Sequence, residues 1–249
     1  MSNTVLPFFL MFILIILIVG FIFYFTSLRN RFEIKKSDSL INLRKSIGLS
    51  IEHGKGLHVS LGKSDLNNIH GAASFIGLET LNQIIDQSIL SDNPPVTTAG
   101  SGDLTLLAQS QHQNVLNDKS SGGSDFVSSA YLSGATNLSY IAGAIPPSSN
   151  ETLSTQIFAG NIGPEIGLLI DSNNKKNHFS LAATDSLEGQ SVSYACSEEV
   201  LIGEEIFAIP AQMSDEKMFK VSLLIQDVLR WFVIAIILIV LILKFGGVL

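Results

Sequence analysis

Leu43-Arg-Lys-Ser-Ile-Gly-Leu-Ser-Ile-Glu-His-Gly-Lys-Gly-Leu-His-Val-Ser-Leu-Gly-Lys-Ser64 carries the pattern that bears most on the fold. Apolar residues alternate at Ile47, Leu49 and Ile51, and again at Leu57, Val59 and Leu61, with Gly, Ser, Glu and His between them. A period of two predicts a half-buried strand pair. Directly opposite residues of an antiparallel pair share a face, so the connection must have odd length. A three-residue loop, Gly54-Lys55-Gly56, sets Ile51 against Val59 and Leu49 against Leu61, and gives Gly56 the left-handed position such loops use. The stretch therefore reads as an edge β-hairpin. On that parity His53 and His58 point to opposite faces, a poor geometry for sharing a metal.

Downstream, Ala72, Ala73, Ile76, Leu81, Ile84, Ile85 and Ile89 recur at mostly helical spacing, which predicts a helix over 68–90 ended by Pro94-Pro95. Leu104 to Leu116 reads as a second helix capped by Asp103. The segment 118–125 is a Gly/Ser-rich loop. Strands are expected at 138–145, 155–159 and 178–184, with a further one at 190–195. A helix opens after Gly160-Asn-Ile-Gly-Pro164, with the proline in its first turn, and runs to about Asn173. Residues 198–209 fit a helix, and 217–229 an amphipathic helix. Strands alternating with short helices predict an α/β domain with a partly parallel sheet and the hairpin at one edge.

The charge distribution brackets that domain. Of 249 residues 46% are hydrophobic and only 15% charged, against about a quarter charged in a soluble domain. From Met1 to Leu28 no side chain is charged, and residues 5–25 are nearly all apolar. Such a run is long enough for a helix to cross a bilayer core. A cleaved signal peptide is disfavoured: no basic residue precedes the run, it is too long, and Phe-Tyr-Phe-Thr-Ser-Leu-Arg makes a poor cleavage site. The second run, Trp231 to Leu243, reaches spanning length if the helix starts near Leu229 and Lys244 snorkels. The expected division is a transmembrane helix in 1–28, a domain in 29–228 and a transmembrane helix in 229–249. Arg29, Arg31, Lys35 and Lys36 follow the first run, and Lys217, Lys220 and Arg230 precede the second. Cations are retained inside, so the domain is expected on the cytoplasmic face of the cell (inner) membrane, with both termini outside. The lone Cys196 suits a reducing compartment.

Candidate chemistry is sparse. Gly62-Lys63-Ser64 resembles the tail of a phosphate loop, but the glycine required five residues earlier is replaced by Leu57. Gly160, Gly163 and Gly167 lie at a strand-to-helix turn, and Asp185 stands about 20 residues on, where a dinucleotide fold places its ribose acid. Gly100-Ser-Gly102 before a helix is a similar, weaker site. Glycines that merely permit tight turns and close packing are the competing account. The histidines at 53, 58, 70, 112 and 178 form no metal pattern and read as single surface histidines. Cys196 reads as a buried small side chain, and Glu198-Glu199 and Glu204-Glu205 as a solvated helix face, with cation binding the alternative. No serine elbow is present, so no catalytic, cofactor or metal residue is assigned beyond the Gly160/Gly163/Gly167/Asp185 alternative. A net charge of −7 argues against a nucleic-acid partner.

The blocks Leu43 to Gly62, Leu90-Ser-Asp-Asn-Pro-Pro-Val-Thr-Thr-Ala-Gly-Ser-Gly-Asp-Leu-Thr-Leu-Leu-Ala-Gln109 and Ile225-Gln-Asp-Val-Leu-Arg-Trp231 resemble a family of bacterial membrane proteins carrying a domain of unknown function. The resemblance implies the bracketing apolar helices and carries no activity. The leading expectation is a non-enzymatic, membrane-anchored scaffold whose partners are the bilayer and further copies of itself. The alternatives are a membrane-tethered nucleotide or dinucleotide binder or enzyme using the Gly160/Gly163 turn, and an oligomeric pore.

Overall fold

The computed structural model describes residues 37–63, 66, 67, 70–88, 91, 93–119, 129–148, 150, 152–214 and 216–245, excepting the side chains at 115–119, 235, 238, 239, 241–243 and 245. The described chain divides into two compact units that meet in sequence between Glu216 and Lys217. The first is an α/β domain built on a six-stranded sheet: β1 Gly56–Gly62, β2 Val96–Ala99, β3 Ala130–Leu132, β4 Leu153–Asn161, β5 Phe179–Thr184 and β6 Glu199–Leu201. The spatial order is β3-β2-β1-β4-β5-β6, and every neighbouring pair is parallel. The α-helices are α1 Asp38–Glu52, α2 Gly71–Gln87, α3 Gly102–Lys119, α4 Asn137–Ser148, α5 Ile166–Asn174, α6 Leu187–Cys196 and α7 Ile209–Met213. The 3-10 helix Gly203–Ala208 precedes α7.

The edge hairpin is replaced by a helix and a central strand. Residues 38–52 form α1, and its buried positions, Leu40, Leu43, Ile47 and Ser50, follow a helical period. Leu49, which the alternation placed inward, is 53% exposed. Burying Leu43 and Ile47 fully contributes about 1.5–3 kcal/mol each. The Gly54-Lys55 turn closes this helix. Gly54 has φ +62, its N–H reaches Ile51 O at 3.1 Å, and Lys55 N reaches Ser50 O at 2.8 Å. That is the two-bond Schellman ending of a helix. β1 then lies in the middle of the sheet, buried at every residue.

Both faces of β1 are covered, so its alternation separates two cores rather than core from solvent. Leu57, Val59 and Leu61 join the larger core with residues of α1, α2, α3 and α7. On the other face a smaller core gathers Tyr140, Ile141 and Ala144 of α4 with Phe158, Ile166, Leu169, Ile170 and Ala182. His58 and Ser60, the alternate residues of β1, bond to Ser148 and Tyr140 of α4 beside that smaller core.

Three further expectations are corrected. Residues 138–145 are helical, with Tyr140, Ile141 and Ala144 buried on one face, and Pro146-Pro147 fall in the last turn of α4. Residues 190–195 also belong to a helix, α6, whose N-cap Ser186 Oγ accepts Gly189 N–H at 3.3 Å. The span 198–209 is not one helix, because Glu199–Leu201 adds the last strand before the 3-10 turn. The partly parallel sheet becomes wholly parallel once the hairpin is removed. The strands of 155–159 and 178–184 and the helix of 68–90 stand where expected, within a few residues. Most of the predicted loop at 118–125 lies outside the described residues.

The described part of the second unit is α8, one continuous helix from Lys217 to Phe245. It carries exposed Ile225, Leu229, Trp231, Ile237 and Val240. The first expected transmembrane segment lies outside the described residues. Among the described residues, no helix is long and apolar enough to cross a membrane.

Candidate functional site

The chain runs β1, β2, β3 toward one edge of the sheet, returns through α4, and then runs β4, β5, β6 toward the other. The order therefore reverses between β1 and β4. In open α/β sheets ligands bind beyond the carboxyl ends of the strands at such a reversal. At that point the backbones of β1 and β4 approach closely, with a register shift between Ser60 and Gly62. Gly62 has φ +77 and Gly160 φ +144. A Cβ on Gly160 would overlap the Leu61 carbonyl, and one on Gly62 the Asn161 carbonyl. Lys63 N donates to Asn161 O at 2.9 Å, and Gly100 N to Gly62 O at 2.8 Å. The ends of β1, β2 and β4 are thus tied into one rim.

Three side chains converge on that rim from separate elements. Asp185 follows β5, and its Oδ1 accepts a hydrogen bond from Asn161 Nδ2 at 2.7 Å. Its Oδ2 lies 2.6 Å from Nδ1 of His70, the residue that opens α2. An ionised carboxylate can only accept, so Nδ1–H donates to Asp185, and in the neutral ring that leaves Nε2 as the lone-pair nitrogen. The side chain of His70 is 40% exposed and that of Asp185 20%. The pair is thus sheltered but reachable. Nearby, Asp103 ties the first turn of α3 to the β1–α2 connection, accepting Leu104 N at 2.9 Å and Leu66 N at 2.8 Å. Lys63 Nζ is bonded to Asn137 Oδ1 at the start of α4.

Below the rim lies a buried polar layer. Tyr140 OH pairs with Ser60 Oγ and accepts Gly62 N at 3.1 Å. Burial pushes the phenol up, partly offset by its hydrogen bonds, so it stays a neutral donor. His58 lies deeper, with Nε2 3.1 Å from Thr98 Oγ1 and Nδ1 3.3 Å from Ser148 Oγ. Burial lowers it to about 4, against a smaller opposing effect of Gln156. On the opposite face, His112 pairs with Thr97 Oγ1 at 2.9 Å and is likewise lowered to about 4 by burial. Burial also lowers His178, helped by the charges of Lys55 and Lys176.

The structure brings Gly160, Gly163 and Asp185 to one edge. Gly167 stands in the first turn of α5, where a Cβ would meet Val192 of α6. Against Gly163 lies the carboxylate of Glu165. The Gly62-Lys63 pair ends a strand, and α2 starts only at Gly71.

Three sequence readings are corrected. Of the supposed surface histidines, His53 is exposed, but His58, His112 and His178 are buried. Cys196 is exposed rather than buried. Glu199 is not a free solvated acid, since it accepts from Ser39 Oγ at 2.7 Å and Asn42 Nδ2 at 2.6 Å and so fastens α1 to β6. The pairing of His70 with Asp185 was missed. No spacing rule links residues 115 apart, and the sole cue is that both follow a strand.

A doubly wound α/β domain with strand order 3-2-1-4-5-6 and a polar carboxyl rim is the class this architecture defines. Within it, the chain belongs to the family described as a domain of unknown function, DUF6754, whose profile matches residues 2–248. No curated protein and no solved structure matches it significantly.

Proposed function

We propose that this protein is a membrane-anchored ligand-binding domain that holds a small, polar, non-anionic molecule at the carboxyl rim between β1 and β4. The observation that carries the reading is the reversal of strand order there, with His70, Asp185 and Asn161 converging beside it. Phosphate-bearing ligands fit poorly. Asp103 occupies the first turn of α3, and Glu165 lies against Gly163. Like charge at either position repels a phosphate. The dinucleotide reading built on Gly160, Gly163, Gly167 and Asp185 is therefore the less favoured one.

Membrane anchoring rests on the uncharged run of 1–28 and on the apolar half of α8, whose Leu229, Trp231, Ile237 and Val240 side chains are exposed. The flanking cations favour a cytoplasmic domain. Thermal melts of the full chain in detergent, with nucleotides, dinucleotides and neutral polyols, sugars and esters, test the ligand reading. A ligand at about a hundred times its Kd stabilises by about 2.7 kcal/mol, a shift of roughly 5–10 °C for a domain of this size. The shift should come from a neutral compound and vanish in N161A. A nucleotide-only response refutes the reading.

A second reading, self-assembly as a scaffold, draws on the exposed Leu106, Leu132, Leu138, Leu168, Leu187 and Tyr194 of the α/β domain. Sedimentation in detergent that returns only monomer removes it.

A further inference from the structure

We infer that His70 is a general base, making the rim a hydrolytic site for neutral esters rather than a binding site alone. The inference rests on the proposed ligand site and adds a reaction to it. Asp185 receives two hydrogen bonds, one from Asn161 and one from His70 Nδ1. Asn161 therefore fixes the carboxylate, and the carboxylate fixes the ring. A histidine held in this tautomer presents Nε2 as a proton acceptor, the arrangement that makes an imidazole useful in acyl transfer. Among the described residues no hydrogen bond engages that nitrogen.

The acids on the same rim bear on the substrate. Asp103 and Glu188 in the first turns of α3 and α6, Glu165 just before α5, and Asp185 after β5 follow the carboxyl ends of β2, β4 and β5, with Lys63 a cation at the end of β1. An anionic phosphoester is repelled there, whereas an uncharged ester is not. In the reaction, water attacks the ester carbonyl carbon while His70 Nε2 takes its proton. The C–O bond to the alcohol then breaks, the electron pair leaves with the alcohol oxygen, and that oxygen receives the proton back from the ring. Acid and alcohol are the only products, and no co-reactant beyond water is needed. His70 is the catalytic residue; Asp185 and Asn161 are positioning residues.

The probe is p-nitrophenyl acetate, hydrolysed by the full chain in detergent. Removing a general base costs about a hundredfold or more, so H70Q should lose nearly all of the catalysed rate. D185N should follow it, while H53Q, at an exposed histidine on the α1–β1 turn, leaves the rate unchanged. Ring nitrogen-15 shifts should show a fixed Nδ1–H tautomer in wild type that is lost in D185N, a change that packing alone does not produce. A folded H70Q within twofold of wild type overturns the inference, as does a wild type no faster than H70Q. If H70Q does not fold, carbethoxylation of the wild-type chain decides. His70 must then react faster than His53, and slower modification refutes the assignment. A ligand shift without a His70-dependent rate sinks this proposal and leaves the binding reading intact. A His70-dependent rate without any ligand shift supports this proposal and shows that the ligands tried in the melts bind the rim too weakly to stabilise it.

Discussion

Acidification from pH 7 to pH 5 should weaken the fold by several kcal/mol through two buried rings. His58 and His112 are each lowered to about 4 by burial, against about 6.5 in the unfolded chain. Because the folded values are depressed, the unfolded state binds more protons between these limits, and stability falls as pH falls through that window. The full difference corresponds to about 3.4 kcal/mol per ring. By pH 5 the unfolded ring is mostly protonated and the folded ring mostly neutral, so about 1.8 kcal/mol per ring is already lost. Together the rings remove roughly 3.5 kcal/mol of a typical total of about 5–15 kcal/mol. His178 acts in the same sense, and Glu79, raised by burial, acts in the opposite one. Urea denaturation of the full chain in detergent, repeated from pH 7 to pH 5, measures the slope. H58Q and H112Q should each flatten it by about half, whatever they do to stability at pH 7. Equal stability at both ends, or variants that keep the whole slope, would show that these rings are hydrated or already charged.

Other expectations concern the rim and the anchor. Gly160→Ala forces a side chain into φ +144 and against the Leu61 carbonyl; a loss of about 2–4 kcal/mol should appear in denaturant melts. Tyr140→Phe strands Ser60 and Gly62 N–H in a buried site, so the melts should show a loss of about 1–3 kcal/mol. Cys196 is exposed and is the chain's single thiol. If the domain is cytoplasmic, a membrane-impermeant maleimide should label it only after intact cells are opened. Labelling of intact cells would reverse the proposed topology.

The sequence was legible where one periodicity prevailed. The strands at 155–159 and 178–184 and the helix of 68–90 each combine an apolar pattern with flanking breakers, and each stands in the fold close to its expected place. The failures share a cause. Ile47, Leu49 and Ile51 fit a period of two, but Leu40, Leu43 and Ile47 fit a helix equally well, and the longer register decided. The short apolar runs at 138–145 and 190–195 became helices for the same reason. The burial of His58, Thr98 and Gln156 was illegible because strands covered on both faces need no polar face. Their hydrogen-bond partners come from neighbouring strands and from α4.

Sequence pattern alone determined the α/β class and the apolar runs that bracket the domain, because these depend on local order along the chain. Tertiary structure alone decided that β1 is central, that the strand order reverses beside it, and that Asp185 meets His70. Those outcomes depend on which strands become neighbours. Parallel pairing joins segments through long crossovers, so the spacing of residues along the chain does not encode which side chains share a rim.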